Sequence, residues 1–225
     1  MESVSLSCAN LGLYEVPDSV SSAGAGKTKL ISRVIDHVAN HLRDHALAYF
    51  YCNRSEDTRR DPENILRSFV KQLSISPGGD AVQQSLVDVY QEKRKTGFAS
   101  AKLTFEESIS LLLKLIQSYS RTILILDALD ETHKHLRAEL IDTFNYLINE
   151  SPQLKIFISS RRDDDIKRQL AKGANVGVEA TDNENDISKF VADQIDQVQK
   201  RRRNPISQGL RQDIIQVLLD KSQGM

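Results

Sequence analysis

Only two cysteines, Cys8 and Cys52, occur among 225 residues. That is too few for a disulfide framework and suits a reducing compartment. No apolar run is long enough to span a bilayer; Ile123 to Leu126 stands among the longest. The start, Met-Glu-Ser-Val, lacks the basic residues and apolar stretch of a secretory signal. An excess of charge of either sign is also lacking. Lys and Arg number 30 against 31 Asp and Glu, for a net charge of −1, which excludes a general pull toward nucleic acid or membrane. These absences predict a cytoplasmic protein with no nucleic-acid and no membrane partner. Internal repeats and low-complexity segments are absent too. What is present, 40% hydrophobic and 27% charged residues, is an ordinary globular composition. The length suits one large domain, or one domain with a small appendage.

Strand and helix signals alternate along the chain. Residues 1–22 carry no clear period, and Leu11 to Val16 is the candidate strand within them. Leu30, Ile31, Val34, Ile35, Val38 and Leu42 make one helical stripe. Ala46 to Cys52 is an aromatic-rich run that reads as a buried strand. Asp61-Pro62 starts a helix, with a capping carboxylate and then proline at the first helical position. Residues 81–94 read as a polar helix ended by Thr96-Gly97, and Thr104 with Glu107 forms a capping box before the next helix. Thr122 to Leu126 is apolar throughout, as a central parallel strand is. A helix at Leu136 to Ile148 and a strand at Leu154 to Ser159 follow, then a weaker strand at Val176 to Glu179. Helices over 185–199 and 207–221 close the chain. The alternation predicts an α/β fold: a mostly parallel central sheet between helical layers, with helices at the C-terminal end. The predicted division is an unassigned segment 1–22, a nucleotide-binding domain 23–182 and a helical extension 183–225. The stop at Met225, just after an apolar helix, reads as a truncation.

Two motifs carry chemistry. Ala23 to Thr28 reads Ala-Gly-Ala-Gly-Lys-Thr. A polyphosphate needs backbone N–H groups close around it, and small residues such as Gly24, Ala25 and Gly26 permit that approach. Lys27 would reach the β- and γ-phosphates, and the Thr28 hydroxyl would bind Mg2+. The second motif is Asp127-Ala-Leu-Asp-Glu131, directly after the apolar strand. Ligands gather at the carboxyl ends of parallel strands. Asp127 there would hold Mg2+, and Asp130 and Glu131 would position or deprotonate the attacking water. Ser159-Ser160-Arg161-Arg162 follows the next strand, where Arg161 is the candidate γ-phosphate sensor. A competing reading makes Arg161 and Arg162 a surface pair matched to Asp163, Asp164 and Asp165. No Asn/Thr-Lys-x-Asp guanine-reading element occurs, which tilts the base toward adenine.

Other features have plainer explanations. His133 and His135 lack further ligands at metal spacing and read as a solvated helix start. Lys200 to Arg203 reads as a solvated helix end, and Cys52 as core.

These residues together resemble the NACHT class of signal-transduction P-loop ATPases, and within it the nephrocystin-like N-terminal NTPase domain of filamentous fungi. The matching segments are Gly-Ala-Gly-Lys-Thr (24–28), Ala-Tyr-Phe-Tyr-Cys (48–52), Asn-Ile-Leu-Arg-Ser (64–68), Leu-Asp-Ala-Leu-Asp-Glu (126–131), Ile-Ser-Ser-Arg (158–161) and Lys-Ser-Gln-Gly-Met (221–225). The resemblance implies an ATP/ADP switch with Mg2+ that hydrolyses slowly. Exchange of ADP for ATP would permit self-association or contact with other domains, through regions outside this chain. By the same resemblance Lys27 and Thr28 are the phosphate and Mg2+ residues, Asp127 the Mg2+ carboxylate, Asp130 and Glu131 the catalytic acids, and Arg161 the sensor. Three positions depart from the family pattern. Residues 1–22 do not match it, Ser21 stands at the first loop glycine, and Arg162 stands where a proline is usual. Two alternatives compete: a scaffold of the same fold that no longer binds nucleotide, and a small-molecule kinase. The kinase needs a lid with arginines, for which Arg59-Arg60 is a poor substitute, and it leaves Asp130 and Glu131 unused.

Overall fold

The structure is a computed structural model that describes residues 11–14, 27–42, 44–76, 79, 81–97, 102–161, 163–170, 174–175, 184–200 and 206–222. Five strands form one sheet: β1 (Leu11–Tyr14), β2 (Ala46–Tyr51), β3 (Thr122–Asp127), β4 (Leu154–Ser159) and β5 (Ala174–Asn175). Their spatial order is β2-β3-β4-β1-β5, and every pairing is parallel. Parallel neighbours require crossovers, which the helices supply. These are α1 (Lys27–His41), α2 (Pro62–Gln72), α3 (Gln84–Lys95), α4 (Phe105–Gln117), α5 (Lys134–Glu150) and α6 (Asp164–Leu170). The helices α7 (Glu184–Lys200) and α8 (Gln208–Ser222) belong to a second compact unit, in which Arg211 pairs with Asp196 at 2.6 Å. Among the described residues no helix is long and apolar enough to cross a membrane.

The candidate strand at the start of the chain is real. Leu11–Tyr14 lies between β4 and β5, with Leu11 opposite Ile156 and Gly12 opposite Ala174. Its register puts its carboxyl end beside Ser159. The weaker strand expected at Val176 to Glu179 lies outside the described residues, and β5 precedes it at Ala174–Asn175.

Alternation along the strands divides the core in two. Ala48, Leu124 and Leu126 point to one face and pack with α2, α4 and α5 through Leu66, Phe69, Leu112, Leu115, Ile141 and Phe144, all fully buried. Phe69 and Phe144 meet with centroids 6.4 Å apart, a contact worth about 1 kcal/mol beyond its buried area. Ile125, also fully buried, points to the opposite face. Tyr51 shares that face by the β2–β3 register, and its hydroxyl lies 3.3 Å from Ser32 Oγ of α1. Helix α1 therefore covers the second face, and the sheet sits between helical layers.

The local start signals act as their chemistry dictates. Asp61 accepts the Glu63 N–H at 3.0 Å ahead of Pro62, a cap worth about 1 kcal/mol. The Thr104–Glu107 capping box is closed from both sides. Lys93 of α3 pairs with Glu107 at 2.8 Å and, with the Thr104 N–H, holds its carboxyl below the ordinary value. At the open edge of the sheet, the Gln72 side chain pairs with the Tyr49 backbone. Its amide nitrogen donates to Tyr49 O at 2.8 Å and its oxygen accepts the Tyr49 N–H at 3.1 Å.

Candidate active site

Because the strands are parallel, their carboxyl ends share one rim of the sheet, and the candidate residues follow them. Asp127 is the last residue of β3 and is only 3% exposed. Thr28, in the first turn of α1, donates its hydroxyl to Asp127 Oδ2 at 2.8 Å. The two residues are 99 apart in sequence, so the fold joins the last residue of the first motif to the first residue of the second. Ser159, the last residue of β4, donates its hydroxyl to Asp127 Oδ1. The same Ser159 oxygen accepts the Ala128 N–H at 2.9 Å. Ala128 is left-handed, with φ 59° and ψ 53°, a conformation that costs a non-glycine residue about 1 kcal/mol. This bend turns the chain from β3 into a 3₁₀ turn at Leu129–Glu131.

That turn presents Asp130 and Glu131 to two arginines. The Arg161 N–H donates to Asp130 Oδ1 at 2.8 Å, and the Arg54 N–H donates to Glu131 Oε2 at 3.0 Å. Each guanidinium then reaches across both acids. Arg54 lies 3.7 Å from Asp130 Oδ2 and 3.6 Å from Glu131 Oε1, and Arg161 lies 3.7 Å from each. Arg161 is thus engaged with Asp130 and Glu131. Asp163 and Asp165 pair instead with Arg137, at 2.9 and 3.2 Å. Beneath Asp130, buried Arg137 of α5 also donates to the Asp130 carbonyl at 2.8 Å. Behind the acids, burial pushes the Cys52 thiol up, and the charges of Asp127, Asp130 and Glu131 push it further. Cys52 is a neutral core group. His133 begins α5 and meets Asp57 at 3.3 Å.

Gly24, Ala25, Gly26 and the Lys27 side chain lie outside the described residues; the backbone of Lys27 opens the 15-residue helix α1. A helix start of that length offers N–H groups and a positive dipole end to an anion. The Thr28 hydroxyl and the Asp127 carboxylate are hard oxygen donors, the type Mg2+ takes. Among the described residues no group of three or more His, Cys, Asp or Glu converges on a metal position. Mg2+ does not need one, since it keeps several waters and uses one or two protein oxygens. The donors present fit Mg2+ with a phosphate ligand.

Three participants belong to neither sequence motif. Arg54 lies just past the end of β2, the kind of place where ligands gather, and that position was its signal. Arg137 falls on the inward stripe of α5, three residues before Leu140, where a basic residue is an anomaly. Ser159 had no distinguishing signal beyond ending a strand.

A family model, described as the N-terminal region of nephrocystin 3, matches residues 20–161, more than half of the chain. The chain belongs to the nephrocystin 3 N-terminal family. The family match begins after β1 and so does not include that strand. Among solved structures, a Walker-type ATPase of Pyrococcus abyssi matches this nephrocystin-type domain with TM-score 0.52 at 14% identity. The match covers 92% of this chain and 57% of that one, so the domain spans little more than half of that ATPase. PCH-2 of C. elegans aligns with TM-score 0.37 at 12% identity, over 84% of this chain and 41% of its own. No curated protein matches. The fold of this nephrocystin-type domain is that of a P-loop NTPase.

Proposed function

We propose that this chain is the nucleotide-binding switch of a larger NACHT-type signalling protein. It binds ATP or ADP with Mg2+ and hydrolyses ATP slowly. One observation supports the reading: the 2.8 Å hydrogen bond from Thr28, the last residue of the phosphate-loop motif, to Asp127 at the acidic strand end. In this reading Gly24, Ala25, Gly26 and Lys27 cradle the phosphates, and Thr28 and Asp127 hold Mg2+. The metal would supply charge neutralisation between the β- and γ-phosphates. Ser159 fixes the Asp127 carboxylate by hydrogen bond, so the oxygens are aligned before a ligand arrives. Glu131, more exposed than Asp130, is the acid that orients the attacking water, while Asp130 ties the 3₁₀ turn to the start of the Arg161 segment. Self-association and contacts with other domains run through regions beyond this chain.

The test is equilibrium binding of labelled ATP and ADP, with and without Mg2+, to the chain and to Lys27→Ala. Mg2+-dependent binding that Lys27→Ala loses by tenfold or more supports the switch. Equal binding by both chains, or by neither, leaves a scaffold of the same fold.

A further inference from the structure

Arg54 stands on the acidic pair in a way that a structural ion pair does not require. Its backbone N–H already holds Glu131 Oε2 at 3.0 Å, so the loop after β2 is anchored without the side chain. The guanidinium adds only contacts of 3.6 and 3.7 Å, beyond hydrogen-bond reach. It does so from an exposed position: the Arg54 side chain is 56% accessible, against 17% for Glu131 and 9% for Asp130. Exposed ion pairs of this kind hold by about 1 kcal/mol or less. The carboxylates are therefore the fixed members and the guanidinium the member that leaves at small cost. It also follows the end of β2, on the rim of the sheet that carries the Thr28–Asp127 pair. A terminal phosphate carries more charge than a carboxylate and offers three oxygens to the planar guanidinium fork.

We propose that Arg54 reads the γ-phosphate: a nucleoside triphosphate draws its guanidinium from Glu131, a diphosphate does not, and Glu131 is thereby released only when a γ-phosphate is present. This rests on the nucleotide-binding reading above. Arg54 is a positioning residue for Glu131 and a specificity residue for triphosphate. Arg161, 38% accessible and bonded through its own N–H to Asp130, keeps the acidic pair from standing bare when Arg54 moves.

The experiment measures affinity for Mg2+-ADP and for a Mg2+ complex of a non-hydrolysable, methylene-bridged ATP analogue. The chains compared are wild type, Arg54→Ala and Arg54→Lys. In parallel, 15N NMR follows the Arg54 Nε–H and backbone N–H signals. The ratio of analogue to ADP affinity is expected to fall about tenfold in Arg54→Ala, the scale of a lost charge-assisted bond. Arg54→Lys should recover part of it. In wild type the Nε–H signal should shift with the analogue and not with ADP. In Glu131→Ala without nucleotide, the Arg54 backbone N–H should lose its carboxylate-bonded shift. Nucleotide binding with an unchanged ratio in Arg54→Ala, or equal Nε–H shifts with both ligands, overturns the inference and leaves the binding reading standing. A wild type that binds neither nucleotide overturns both.

Discussion

Asp127 ends β3 and Glu131 ends the turn that follows it, four residues on, yet the fold holds them by opposite means. Asp127 is gripped by neutral hydroxyls, those of Thr28 and Ser159. Glu131 is met by two cations, Arg54 and Arg161, and by a backbone N–H. A hydroxyl orients a carboxylate and leaves its charge free to act on something else. A guanidinium cancels that charge. One corner of the rim thus keeps a carboxylate whose charge is uncancelled, while at the other the acids face two arginines.

Substitutions can break either corner. The largest stability effect is expected from Arg137→Ala, which removes the support beneath the charged corner. It strands the Asp130 carbonyl, Asp163 and Asp165. Because those aspartates are partly accessible, the loss should be about 2–4 kcal/mol, at the lower end for a broken buried pair, read from urea unfolding. Acid should narrow it. Hydrogen bonds from Asp165 and then Arg137 hold the Asp163 carboxyl below its ordinary value, against the opposing effect of burial. Its stabilisation is therefore complete above an unfolded pKa of about 3.9 and is lost as pH falls through the depressed folded value. Wild type and Arg137→Ala should converge as acid approaches that value; a gap that widens instead would show that Asp163 is not the partner that matters.

Ser159→Ala tests the neutral corner. It leaves the Ala128 N–H and one Asp127 oxygen without their partner in a buried place. The expected cost is about 1–3 kcal/mol, with weaker Mg2+ dependence of nucleotide affinity. A variant as stable as wild type would remove Ser159 from the site. Arg161→Ala sharpens the contrast with the smallest effect. Its guanidinium is exposed and its backbone bond to Asp130 survives, so thermal unfolding should register less than about 1 kcal/mol, shrinking further in high salt.

Much of this architecture could be read from residues alone, because the signals were local. The strand at Leu154–Ser159 came out with the expected bounds, and the Thr104–Glu107 box closed as its spacing demands. Asp127 and Thr28 could be paired in advance because each belongs to a motif with its own chemistry. The arginines could not. Arg54 and Glu131 are separated by 77 residues, and only the parallel register of β2 and β3 brings their loops together. Arg137 broke an apolar stripe, but its acceptors come from two other segments, 130–132 and 163–165, so its role appears only after folding. The first strand was hard to place for another reason: four residues interrupted by glycine, Leu-Gly-Leu-Tyr, carry too short a pattern to stand alone. Its neighbours β4 and β5 define it.

The Gln72 amide on the edge of β2 bears on how such a domain assembles. Tyr49 is a residue of the edge strand to which another strand could pair, and a side chain from the same molecule already satisfies both of its backbone polar groups. An incoming strand must first expel that amide, which discourages growth of the sheet from one copy into the next. Backbone pairing at this position of the edge is therefore disfavoured by a side chain of the same molecule.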